Sequence, residues 1–163
     1  PHGMAMGVTE QTPKEDKYNY TESYLEDRIK VMLGGRSAEK IIYGEVSTGA
    51  QNDLKEATKL LRRMVGQWGM SEKIGPLGLG IGEEHVFLGR EMGAPREYSE
   101  KLAEMIDSEI QSQLLAFEAF TVSFLTEHRQ ELDALARAVM KRETLSAGEI
   151  TEVLEEARSR ETA

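Results

Sequence analysis

Apolar residues recur along this chain mostly at helical spacing. After Thr21, a residue suited to an N-cap, Leu25, Ile29, Met32 and Leu33 fall at i, i+4, i+7 and i+8 and mark one face of a helix. Gly34-Gly35 interrupts that face, so the pattern predicts an end there and a second, short helix over 37–43, stopped by Gly44. A third helix is predicted to start near Ala50. Its apolar arc holds Ala50, Leu54, Ala57, Leu60, Leu61, Met64, Val65 and Trp68, and Lys55, Glu56, Lys59, Arg62 and Arg63 fill the opposite arc. Leu102, Ile106, Ile110, Phe117, Phe120 and Phe124 form the stripe of a long fourth helix over 99–127, and Leu132, Leu135, Ala136, Val139 and Met140 define a fifth. A sixth begins at Ser146, where S-A-G-E predicts a capping box between Ser146 and Glu149.

Two stretches depart from this rhythm. Residues 4–10 have short apolar positions between glycines and read as one strand, followed by a polar loop bounded by Pro13. Residues 69–95 are rich in glycine but carry Leu77, Leu79, Ile81, Val86, Phe87 and Leu88, which predicts a long ordered loop rather than a flexible linker. The fold class is therefore mainly α: a helical bundle with a short N-terminal β-strand and a long ordered Gly-rich loop. At 163 residues the chain is the size of one domain, or of the larger part of one.

Composition removes several kinds of function. With 29 acidic and 20 basic side chains and a formal net charge of -9, the chain does not favour a nucleic-acid partner. It has no cysteine, so disulfides, thiolate catalysis and Cys-ligated zinc are excluded, and any metal must be held by His, Asp or Glu. No run approaches the roughly 18 consecutive apolar residues of a membrane span. The chain opens on Pro1 without an initiator Met and reads as a fragment.

Asp53, in STGAQNDL (47–54), is the residue that poses a chemical question. On the wheel of the third helix it falls between Leu60 and Met64, inside the apolar arc, so its carboxylate is expected to face inward. One account is that Asp53 occupies the first turn, where free backbone N–H groups and the positive end of the dipole favour an anion. The other is that it is a metal ligand or catalytic carboxylate, since a buried carboxylate must be paired or coordinated. His2, His85 and His128 share no ligand spacing and read as surface or helix-end residues. Ser37 and Ser71 lie in no G-x-S-x-G elbow, and GLGIG (78–82) lacks the P-loop pattern. Glu39, taken by its spacing alone, reads as helical surface charge.

Six ordered segments nonetheless carry a resemblance: PHGMAMGVT, GGRSAEKIIYG, STGAQNDL, WGMSEKIGPL, VFLGREM and MKRETLSAGEI. Together they resemble the peptidase domain of FtsH-type ATP-dependent zinc metalloproteases over nearly the whole chain. The resemblance implies that residues 1–163 are a partial peptidase domain, lacking the AAA ATPase module and the H-E-x-x-H helix. In that family two histidines of H-E-x-x-H and an aspartate of the STGAQND segment hold zinc, which places the third ligand at Asp53. The glutamate of H-E-x-x-H is the general base toward the attacking water. No H-E-x-x-H occurs here, so the chain alone is expected to be inactive, and its core to be weakened where the missing helices would pack.

Other implications follow from the same resemblance. Glu39 in GGRSAEKII is similar to a family glutamate near the site and would support a ligand from behind. Residues 4–9 resemble the strand beside the cleft, to which a substrate could add by main-chain pairing. The helices resemble the bundle that assembles as a homo-hexamer, fed unfolded or damaged membrane and soluble proteins by an ATP-consuming module. Attachment to a bacterial or organellar inner membrane would come only through N-terminal segments absent here, leaving this part in the aqueous phase. The alternative reading is a non-catalytic helical module for ring assembly.

Overall fold

The computed structural model describes residues 19–79 and 98–161. Helix α1 spans Glu22–Tyr43; a single 3-10 turn, Thr48–Ala50, leads into α2, Gln51–Gly66; and α3, α4 and α5 cover Glu100–Glu127, Arg129–Arg142 and Ala147–Glu161. The architecture is mainly helical. The strand expected over 4–10 and the Gly-rich loop beyond residue 79 lie outside the described residues.

The first helix corrects the sequence reading, because α1 runs unbroken through Gly34-Gly35. Two glycines cost a helix about 1 kcal/mol each relative to alanine. Leu25, Ile29, Leu33 and Ser37, one turn apart, are all buried along a single ridge that crosses the glycine pair. Beyond it, Arg36 Nε lies 2.9 Å and Lys40 Nζ 3.6 Å from the Glu118 carboxylate of α3. Tertiary packing on both sides thus outweighs the local propensity. The helix starts where the sequence indicated, with Thr21 Oγ1 accepting from the Tyr24 N–H, and stops at Gly44 in the left-handed region.

Helices α1, α2 and α3 pack pairwise around one core. That core consists of Leu25, Ile29 and Leu33 from α1, Ala57, Leu61, Met64 and Val65 from α2, Ile106 and Ile110 from α3, and Ile74 from the turn segment after α2. This segment folds back on the helix it leaves: the N–H groups of Met70 and Leu79 donate to the carbonyls of Met64 and Gly66. Gly69 makes the reversal possible, at φ +64°, with the place of a Cβ only 2.9 Å from Pro76 Cα.

Helices α4 and α5 form an antiparallel hairpin beside this core. Arg142 of α4 meets Glu149 of α5 at 3.1 Å, and Arg158 meets Glu131 at 2.8 Å at the other end. The turn between them carries the capping box: Ser146 N–H and Oγ–H both donate to Glu149 Oε2 at 2.8 Å, and Glu149 N–H donates back to Ser146 Oγ. No described residue of α4 is buried, and Ala157 is the buried hydrophobic of α5.

Candidate metal-ligand site

Three parts converge at the start of α2: the last turns of α1, the 3-10 turn, and the first turn of α2. Glu39, half-buried on α1, reaches across to Ser47. The Ser47 N–H donates to Glu39 Oε2 at 2.8 Å and the Ser47 hydroxyl donates to Oε1 at 2.6 Å. Ser47 Oγ then accepts from the Gly49 N–H at 3.1 Å, capping the 3-10 turn. A Cβ on Gly49 would lie 3.2 Å from Ser47 Oγ and 3.7 Å from Glu39 Oε1, so the turn is drawn close against both groups.

These bonds have an electrostatic signature. The side-chain and backbone hydrogen bonds from Ser47 favour the ionised form of Glu39 and hold its carboxyl below the usual glutamate range, with Arg36 assisting against the smaller effect of burial. Glu39 is therefore a clamp between α1 and the segment that sets the start of α2, a role its helical spacing alone did not reveal.

Asp53 sits in the first turn of α2, where the free N–H groups of the helix start favour an anion. Its side chain is exposed and makes no hydrogen bond or ion pair among the described residues. The expected inward orientation does not hold, and the reason is axial. A helical wheel preserves direction around the axis but discards position along it. Asp53 shares its azimuth with Leu60 and Met64, yet burial on this helix begins only at Ala57, one turn further in.

The buried acid lies elsewhere. Glu109 on α3 is 8% exposed and accepts hydrogen bonds from Ser71 Oγ at 3.1 Å and from the Gln113 amide, with Lys73 Nζ 3.4 Å away. Burial pushes its carboxyl up, but the bonds from Gln113, Ser71 and Lys73 together outweigh that and leave it lowered. Ser71 Oγ also accepts from the Ile74 N–H, so the cluster ties the turn segment to α3. The sequence held a signal: Glu109 lies between Ile106 and Ile110, on the stripe that faces the core. Its role is structural, consistent with Ser71 belonging to no nucleophile motif.

No group of three or more His, Asp and Glu side chains among the described residues could hold a metal ion. His128 lies at the α3–α4 junction, its ring against Phe124 and its Nδ1 3.3 Å from Glu131. His2 and His85 fall outside the described residues. At the start of α2 the described residues therefore offer a metal a single carboxylate, Asp53, and not a complete site.

A mainly helical domain whose α2 begins at a clamped turn, with Asp53 exposed in its first turn, is the class that the described residues define. Comparison with known proteins gives the class its identity: residues 1–153 match the model of peptidase family M41, and the chain belongs to that family. It is 52% identical over 153 residues to the ATP-dependent zinc metalloprotease FtsH of Nitrosococcus oceani, covering 94% of this chain and 24% of that protein. It is 50% identical over 154 residues to FtsH 4 of Sphaerobacter thermophilus, covering 94% and 23%. The chain thus spans about a quarter of the length of the relatives it matches. Among the described residues no helix is long and apolar enough to cross a membrane.

Proposed function

We propose that this chain is the downstream part of the peptidase domain of an ATP-dependent zinc endopeptidase that degrades unfolded or damaged membrane and soluble proteins, with Asp53 as one of the zinc ligands. The observation that carries this reading is the state of Asp53: an exposed carboxylate without a partner among the described residues, fixed on the first turn of α2. An acid with no structural bond, at a place where the helix dipole favours negative charge, is free to coordinate.

Zinc at such a site would supply Lewis-acid polarisation of a peptide carbonyl. The residues of this chain supply position. Glu39 holds Ser47, Ser47 holds Gly49, and the 3-10 turn delivers α2 with Asp53 at a set height and rotation. Glu39 is thus a positioning residue, and loss of such support typically weakens metal affinity about 10- to 100-fold.

The two histidines and the general base would come from an H-E-x-x-H helix outside this chain, and the 163 residues alone have no proteolytic activity on this reading. The family match over residues 1–153 and relatives named as ATP-dependent zinc metalloproteases support the protease reading. Exposed Leu115, Phe120 and Phe124 on α3 support assembly into a ring, with membrane attachment supplied by segments elsewhere.

A chimera tests this: the Nitrosococcus oceani protease carrying this chain in place of its matching segment. The chimera hydrolyses casein in a zinc- and ATP-dependent manner, Asp53→Ala abolishes hydrolysis, and the 163-residue chain alone shows none. Undiminished hydrolysis by the Asp53→Ala chimera would contradict the assignment.

A further inference from the structure

The hairpin of α4 and α5 lines an open pocket of about 350 Å³ with no part in the site above. Its aliphatic lining comes from Ala134 and Ala138 on α4 and Val153 and Ala157 on α5, and its charged lining is Arg137, Lys141, Arg142 and Glu156.

That charge is unbalanced. From residue 134 to 142, α4 carries Arg137, Lys141 and Arg142 and no acid, within a chain of net charge -9. Three neighbouring carboxylates are engaged elsewhere: Asp133, one turn before Arg137, pairs with Arg129 at 3.0 Å, Glu149 with Arg142, and Glu131 with Arg158. Glu156 also lines the pocket, but neither Arg137 nor Lys141 forms an ion pair with any described residue. The helix dipole accounts for Lys141 and Arg142 in the last turn, and not for Arg137 a turn earlier. Arg137 and Lys141 stand at i and i+4, with Cβ atoms about 6 Å apart, where two like charges oppose each other unless an anion lies between them.

A guanidinium fork and an ammonium a turn apart fit one carboxylate, and the aliphatic lining beside them fits one small apolar side chain. An α-carboxylate stands next to its own residue's side chain, whereas the carboxylate of an internal Asp or Glu has no apolar group attached at that place. We propose that this pocket binds the C-terminal end of a polypeptide, with the free carboxylate between Arg137 and Lys141 and an aliphatic last side chain on Ala134, Ala138, Val153 and Ala157.

The test is fluorescence anisotropy of a labelled octapeptide ending Leu-Val-Val as the free acid, titrated with the full chain. The free acid binds. Amidation of the peptide terminus, or Arg137→Gln or Lys141→Gln in the protein, each weakens binding about tenfold or more, as loss of a charge-assisted bond should. Ala138→Leu, which fills the pocket, weakens the peptide ending in Val more than one ending in Gly. Because Arg137 and Lys141 are exposed, their variants keep the helical circular dichroism of the parent chain. Equal binding of acid and amide, or no effect of Arg137→Gln, overturns the proposal. So does binding of octanoate without binding of the peptide acid, which would make the ligand a small aliphatic acid.

Discussion

The α1–α3 core and the α4–α5 hairpin show equally regular apolar periodicity, yet they are held by different forces. Every residue of the buried hydrophobic cluster comes from α1, α2, the first half of α3 or the turn segment at Ile74, and none from the hairpin. The hairpin is fastened by surface ion pairs, a capping box and the single buried Ala157, while Val139 and Met140 of its stripe remain exposed, Met140 at 85%. Periodicity reports that a helix has an apolar side; only packing decides whether that side is covered. Exposed pairs contribute little each, typically below about 1 kcal/mol, so the hairpin should open at lower free energy than the core.

The sharpest break in this comparison is Leu61→Ala. Leu61 is fully buried between α1 and α3, and its truncation should cost about 2–5 kcal/mol. Met140→Ala, the same kind of change on the hairpin, should stay within about 0.5 kcal/mol by urea denaturation. Comparable losses at the two positions would mean that the hairpin stripe is covered as well.

Next in size is Glu109→Ala. It strips the Ser71 hydroxyl of its acceptor and leaves Lys73 and Gln113 without their shared partner, so a loss of about 1–3 kcal/mol is expected. Glu109→Gln keeps an acceptor and should recover part of it.

Acid should separate the two regions. Bonds from Arg158 and His128 hold the Glu131 carboxyl below its ordinary range, and bonds from Ser146 and Arg142 do the same for Glu149. A carboxyl lowered in the folded state contributes stability above its unfolded range, near pH 4.3, and that contribution is lost as pH falls through the folded value. Glu39 and Glu109 follow the same sign, but the core retains its apolar burial. Amide hydrogen exchange compared at pH 7 and about pH 3.5 should therefore show α4 and α5 losing protection first, after correction for intrinsic rates. Loss of protection in α1–α3 at the same point would erase the distinction.

The smallest effect has the opposite sign. Gly35 lies exposed in the middle of α1 with open space where a Cβ would stand. Gly35→Ala should stabilise by about 0.5–1 kcal/mol through helix propensity.

Most of the fold was legible in the sequence, because the informative features were local. The cap at Thr21, the Ser146–Glu149 box and the stripes of α2 and α3 all rest on spacings of a few residues. What was misread depended on distant parts of the chain. The break at Gly34-Gly35 was overruled by α3, through Ile106, Ile110 and Glu118. Asp53 was assigned the right azimuth and the wrong depth, since depth depends on which residues of other helices reach the first turn of α2. Glu39 looked like surface charge until the chain returned eight residues later to place Ser47 against it. The family was legible in its motifs, and the match over residues 1–153 confirms it.

The central functional claim is that Asp53 is a zinc ligand and Glu39 holds it in place. The most direct measurement is the zinc content and zinc affinity of the Nitrosococcus oceani chimera carrying this chain, by metal analysis and competition with a chelating dye. The account predicts one tightly held zinc per chain, its loss on Asp53→Ala, and affinity weakened about 10- to 100-fold by Glu39→Ala. Full zinc at unchanged affinity in the Asp53→Ala chimera would contradict it.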